Sequence, residues 1–235
     1  MGLFDRSRPP RAVAVRLHGA EAWAFDWDGT LIDSIGRTLA TYRQLLGEFG
    51  IAFDEVAFRA NYAPDWRRIY RRVGLAELDW PKADKRWVEL YETEVAGLVD
   101  GAAASLTELR AAGVRVALVT AGHRARVELE MRANGVDGLF DAAIFGDEVP
   151  HQKPDPAPLQ LASKYLHVAP TALVLVGDAS DDMTMARRAG VTAVGVLTGA
   201  ADGRGLRRGG AHWVAPSVVS AVDAAGHVGA VPVQV

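Results

Sequence analysis

A chain of 235 residues can bury one sizeable core, or a core and a small accessory unit. Its composition, 49% hydrophobic and 23% charged with a net charge of −3, is that of an ordinary globular protein and offers no basic stripe for nucleic acid. The absence of cysteine excludes disulfides and thiolate metal sites and fits the cytoplasm, and no apolar run is long enough to span a bilayer.

Residues 1 to 20 are rich in Arg and Pro, lack the apolar core of a signal peptide, and are expected to be a loose leader. Ala22 to Phe25 is a short apolar run ending at Asp26, which predicts a buried strand and then a polar loop. Ser34 is placed to cap a helix whose stripe is Ile35, Leu39, Tyr42, Leu46 and Phe49, with Gly50 as its stop. Asp54 opens a second helix. Asp65 opens a third, with Trp66, Ile69, Tyr70 and Val73 as its apolar face. Asp79 and Pro81 start a fourth, running through Trp87, Leu90 and Tyr91 to about Leu98.

From there the pattern alternates. Helices are predicted over 103–112, 124–134, 156–166 and 181–189, and strands over 114–119, 142–145, 172–176 and 192–197. Alternation of this kind implies a parallel sheet covered on both faces. The expected fold is therefore α/β, a Rossmann-like parallel core formed by 21–34 and 101–235. A small helical domain over 35–100 is inserted after the first strand.

Loops at the C-terminal ends of parallel strands share one crevice. Four of them carry polar groups. The first is Asp26-Trp27-Asp28-Gly29-Thr30, whose paired carboxylates can hold a hard cation or attack phosphorus, or simply cap a turn. The second, Thr120-Ala121-Gly122-His123, offers a hydroxyl and helix-start amides to a phosphate oxygen, or is a plain helix cap. The third holds Lys153 before Pro154 and Pro156. Lys occurs at only four positions, Lys82, Lys85, Lys153 and Lys164, which tilts Lys153 from a solvated side chain towards neutralising bound anions. The fourth, Gly177-Asp178-Ala179-Ser180-Asp181-Asp182, packs three carboxylates into five positions. They repel one another unless a cation binds, although Asp at a helix start also suits the helix dipole.

Together these four segments, in this order and spacing, resemble the haloacid-dehalogenase superfamily in its phosphatase branch, phosphoglycolate-phosphatase-like. The inserted helices resemble that superfamily's cap. The resemblance implies Asp26 as the nucleophile of an aspartyl-phosphate and Asp28 as general acid and then base. It implies Thr120, Ala121 and Lys153 as phosphate holders. Mg2+ would be held by Asp26, Asp178, Asp182 and the backbone carbonyl of Asp28. Asp181 is either a neighbour of that site or only a helix-start residue.

Within the superfamily that the chain resembles, an Asp at 28 implies a phosphate ester as substrate in preference to a phosphonate or carbon–halogen bond. The expected partner is a small phosphorylated metabolite, such as a sugar phosphate or a phosphoglycolate-like acid, with no nucleic acid and no membrane. Tyr62, Asp65 and Arg67 are the candidates for touching the leaving group, against the alternative of a solvated interhelical turn. His123 could face the site or serve as a helix-start donor. A sugar phosphomutase and a non-catalytic phosphate-binding protein stand as alternatives.

Overall fold

The computed structural model describes residues 8–63, 66–91 and 95–226. Six parallel strands form one sheet: β1 (Ala22–Phe25), β2 (Arg115–Val119), β3 (Ala142–Ile144), β4 (Leu173–Gly177), β5 (Thr192–Val196) and β6 (Trp213–Ala215). Their spatial order is β3-β2-β1-β4-β5-β6. The first strand in sequence is thus central, with β2 on one side and β4 on the other. Successive crossovers leave it in opposite directions, which opens a crevice above its C-terminal end.

Register aligns the three strand ends at that crevice. Phe25 pairs with Leu118 on one side and with Val176 on the other. Asp26, Thr120 and Asp178 therefore emerge side by side, although 94 and 152 positions separate the latter two from Asp26.

Side chains alternate across the sheet, as a two-residue period requires. Trp23, Phe25, Val116, Leu118, Val174 and Val176 enter one apolar layer, and Ala22, Ala24, Ala117, Val119, Leu173 and Leu175 the other. The first layer is closed by α1 (Arg11–His18), α6 (Ala102–Ala111), α7 (Arg124–Ala133) and α11 (Val218–Asp223). The second is closed by α8 (Ala157–Tyr165), α9 (Ser180–Ala189) and α10 (Gly203–Gly209).

The segment after β1 forms α2 (Ile35–Glu48), α3 (Glu55–Asn61), α4 (Trp66–Val73) and α5 (Trp80–Tyr91). These helices gather an apolar cluster of their own around Tyr42, Leu46, Phe58, Ile69 and Tyr70. The two connections to the sheet run together: Ile32 and Leu98 form an antiparallel bridge, flanked by Asp33 N–H to Gly97 O at 2.9 Å and Val99 N–H to Leu31 O at 2.9 Å.

Four expectations differ from the structure. Residues 11–18 are a helix, not loose leader; Val13 and Leu17 are buried in the core, and the His18 ring lies 3.0 Å from Ala225 O. The fourth helix of the block is described as far as Tyr91, and Leu98 belongs to the bridge, not to that helix. Ser34 makes no side-chain capping bond, whereas Asp54 accepts from Ala57 N–H at 2.8 Å as a cap should. Finally, α10, β6 and α11 lie beyond the last element expected from the sequence.

Candidate active site

Asp26 leaves β1 into the crevice with 6% exposure, and its Oδ1 accepts Trp27 N–H at 2.7 Å. Lys153, from the loop before α8, brings its Nζ to 2.6 Å from Asp26 Oδ1 and 2.7 Å from Asp182 Oδ1. Asp182 is fully buried in the first turn of α9, where its Oδ2 accepts Ala179 N–H at 3.0 Å, tying the side chain back across the helix start. Asp178, also fully buried, accepts Ala200 N–H at 2.8 Å and the Thr30 hydroxyl at 3.3 Å.

Two glycines make room for this cluster. Gly29 turns the first loop with φ of 73°, in the left-handed region that glycine tolerates. At Gly199 a Cβ would stand 1.8 Å from Asp178 Oδ2, so no larger residue fits there without moving the carboxylate.

Ligand oxygens of Asp26, Asp178 and Asp182 lie within 4.8 Å of one another, all buried. Burial pushes Asp26 well above the usual carboxylate range, Asp182 adds to it, and Lys153 only partly offsets both. Burial and Asp182 likewise push Asp178 up to about 7. Burial pulls the Lys153 pKa down, but Asp182 and then Asp26 outweigh it and raise it above the usual lysine value. Three buried carboxylates against one ammonium leave a surplus of negative charge. An all-oxygen donor set of this kind fits a hard divalent cation such as Mg2+.

Asp28 points elsewhere. Its side chain lies outside the three-carboxylate group and meets Arg126, with Nη2 at 2.6 Å from Oδ2 and Nη1 at 3.2 Å from Oδ1. The Tyr91 hydroxyl donates to Oδ1 at 3.0 Å. Burial works to raise the Asp28 pKa, but the guanidinium beside it, with Ser34 and Tyr91, holds it below the usual range.

Behind Arg126 sits Glu130, 2% exposed, which accepts from Arg126 at 2.8 Å, Arg37 at 2.7 Å and the Trp27 indole N–H at 2.7 Å. This network was not anticipated from the sequence. The available signal was the i,i+4 spacing of Arg126 and Glu130, with Glu130 standing among the apolar positions Val127 and Met131 of α7.

Thr120 is buried at 4% exposure, its hydroxyl accepting Gly122 N–H at 2.9 Å. Thr120, Ala121 and His123 line the same pocket as Asp26 and Asp28. From the helical block, Tyr62 lines it too. Burial and then the Asp178, Asp28 and Asp26 charges raise the Tyr62 pKa, as expected of a hydroxyl facing the carboxylates. Arg67 does not line this pocket. It is exposed, meets Asp84 at 3.2 Å, and borders a neighbouring cleft with Lys153. Asp65 lies outside the described residues. Asp181 also stands apart from the carboxylate group and pairs with Arg68 of α4.

Residues 24–196 match the family described as haloacid dehalogenase-like hydrolase. The chain belongs to that family. Among the relatives of this haloacid dehalogenase-like hydrolase is a phosphoglycolate phosphatase of Xanthomonas campestris, 34% identical over 74% of this chain and 82% of its own length. A phosphoglycolate phosphatase of Colwellia psychrerythraea is 28% identical over 85% of this chain and 94% of its own. A solved haloacid dehalogenase-like hydrolase of Streptococcus pneumoniae, 20% identical, superposes with a TM-score of 0.77 over 87% of this chain and 98% of its own. The chain is accordingly an enzyme of the phosphatase type, and among its described residues no helix is long and apolar enough to cross a membrane.

Proposed function

We propose that this enzyme hydrolyses the phosphate ester of a small metabolite through an aspartyl-phosphate on Asp26, with Mg2+ as cofactor. The observation that carries the reading is Lys153 bridging Asp26 and Asp182 at the centre of three buried carboxylates, at the aligned ends of β1 and β4. The Xanthomonas and Colwellia relatives, both phosphoglycolate phosphatases, support a phosphate ester as substrate class.

Asp26, Asp178, Asp182 and the Asp28 carbonyl would hold Mg2+, whose charge offsets repulsion between an attacking carboxylate and a phosphate dianion. The chain's own groups carry the steps. An Asp26 oxygen attacks phosphorus while the bond from phosphorus to the leaving oxygen breaks, and Asp28 gives that oxygen its proton. Asp28, now a carboxylate, takes a proton from water. The water oxygen attacks phosphorus and releases phosphate and free Asp26.

Thr120, the Ala121 amide and Lys153 hold the phosphate oxygens. Arg126 and Tyr91, which stabilise the Asp28 carboxylate here, suit the second step and must yield when Asp28 enters the first step protonated. The helical block over 35–100 serves as a cap that excludes water during reaction.

The test is phosphate release from an aryl phosphate with magnesium and with chelator, beside Asp26→Asn. Magnesium-dependent release that disappears in a folded Asp26→Asn enzyme is expected. Wild-type rate in that variant would remove Asp26 from its role.

A further inference from the structure

Arg126 serves two carboxylates at once. Its Nη1 lies 2.8 Å from Glu130 Oε2 and 3.2 Å from Asp28 Oδ1, and its Nη2 lies 2.6 Å from Asp28 Oδ2. The Arg126 side chain is 13% exposed and that of Glu130 only 3%. Gly122 leaves room for the guanidinium, since a Cβ there would collide with Arg126 Nη2. Glu130 is held in turn by groups other than Asp28: the Trp27 indole N–H donates to Oε2 at 2.7 Å and Arg37 donates to Oε1 at 2.7 Å. Tyr91, the hydroxyl on Asp28, is fixed as well. The Arg37 guanidinium lies 4.0 Å over its ring, Trp87 stacks on it at 4.3 Å, and Trp66 stacks on Trp87 at 5.8 Å. Arg126, Tyr91 and Glu130 are therefore each anchored away from Asp28.

Charge gives this arrangement its use. To protonate the leaving oxygen, Asp28 must turn from Arg126. A guanidinium left bare in so enclosed a place would oppose the move, because a buried charge needs a partner. Glu130 is a partner that stays. Two guanidinium groups, on Arg37 and Arg126, face two carboxylates, on Asp28 and Glu130. When Asp28 turns away, Arg126 keeps Glu130.

Resting on the aspartyl-phosphate reading above, we propose that Glu130 is a positioning residue. It is the standing counter-ion of Arg126, and it lets Asp28 exchange that ion pair for the leaving oxygen. With no charge at position 130, Arg126 has Asp28 alone and retains it.

The experiment compares kcat/KM, with magnesium, for acetyl phosphate and for the fastest of three alkyl phosphates, 2-phosphoglycolate, glycerol 3-phosphate and glucose 6-phosphate. Acetate departs without a proton, whereas an alkoxide needs one from Asp28. In Glu130→Gln, kcat/KM for the alkyl phosphate should fall about tenfold or more beyond any fall for acetyl phosphate. Equal losses on both substrates, the sign of a merely structural role, or no loss on either, would overturn the proposal. Asp28→Asn should show the same selective loss. If it does not, or if the wild type turns over acetyl phosphate alone, the acid role of Asp28 falls together with the proposal and the chemistry of Asp26 stands. No turnover of any compound would remove the phosphatase reading itself.

Stability gives a measurement that does not require Glu130→Gln to fold. With Glu130 as standing counter-ion, Asp28→Asn leaves Arg126 paired. Its urea midpoint with chelator should lie within about 0.5 M of the wild type. A larger loss, as a bare buried charge produces, would show that Arg126 depends on Asp28 and would overturn the proposal.

Discussion

Lys153 is the residue on which the charge balance of the site turns. It is 4% exposed and faces two carboxylates within 2.7 Å, with a third in the same group. Breaking a buried ion pair by removing one partner typically costs about 3–5 kcal/mol, because the other charge stays buried. Lys153→Met should therefore lower stability by about that much in urea titrations with chelator. Added magnesium should restore more stability to the variant than it gives the wild type, since the cation then faces a larger surplus of charge. Equal magnesium gains in both proteins would mean that Lys153 does not neutralise this cluster.

Gly199→Ala works on the same cluster from the other side. Its Cβ would fall 1.8 Å from Asp178 Oδ2. The variant should bind magnesium about tenfold or more weakly by calorimetry, as a ligand displaced from its geometry would. Unchanged affinity would take Asp178 out of the cation site.

Asp26, Thr120, Lys153, Asp178 and Asp182, which the structure brings to one end of the sheet, stood out in the sequence because each sits in a polar loop beside a strand or in the first turn of the helix that follows. Arg126, Glu130 and Tyr91 were not. They are helix-face residues whose partners Asp28 and Trp27 lie 63 to 103 positions away. Local pattern carries no information about such pairs until the topology is known.

At the scale of elements, strands β1 to β5 and the helices α2 to α9 followed from periodicity and punctuation. The terminal pieces did not. Helix α10 is Gly- and Arg-rich with Leu206 as its one buried large side chain, β6 has three residues, and α11 has six. Elements that short hold their shape through packing, not propensity.

Helix α1 is the clearest case. Its eight residues include three basic ones, yet Leu17 is fully buried in the core. Leu17→Ala should cost about 2–5 kcal/mol in denaturant titrations, the range for emptying a buried leucine site. A loose leader would give a change within about 0.5 kcal/mol. That smaller value would detach α1 from the fold.

Across the whole molecule, the helical block and the sheet core meet at contacts of unequal strength. Arg68 of α4 pairs with Asp181 of α9, its side chain 30% exposed. The start of α7 grips the column of Trp66, Trp87 and Tyr91 at both ends: His123 lies against Trp66, and the Arg126 guanidinium sits 5.2 Å from the Tyr91 ring centre. Arg126 is the better buried of the two arginines, at 13% side-chain exposure, and it also pairs with Asp28 at 2.6 Å. Partly exposed ion pairs contribute about 0–1 kcal/mol, whereas breaking a buried one costs several times that.

Both chain crossings run through the one bridge at Ile32 and Leu98, so any opening of the block would turn about it. If opening of the block about this bridge is governed by the α7 grip, Arg126→Met should speed amide exchange in α4 and α5 far more than Arg68→Ala does. Exchange in β1 and β4 should stay unchanged in both variants, since the core does not depend on the block. Hydrogen exchange read by mass spectrometry reports each segment separately. Equal acceleration by the two substitutions would place the grip at Arg68 as much as at Arg126, and faster exchange in β1 would show that Arg126 supports the core itself.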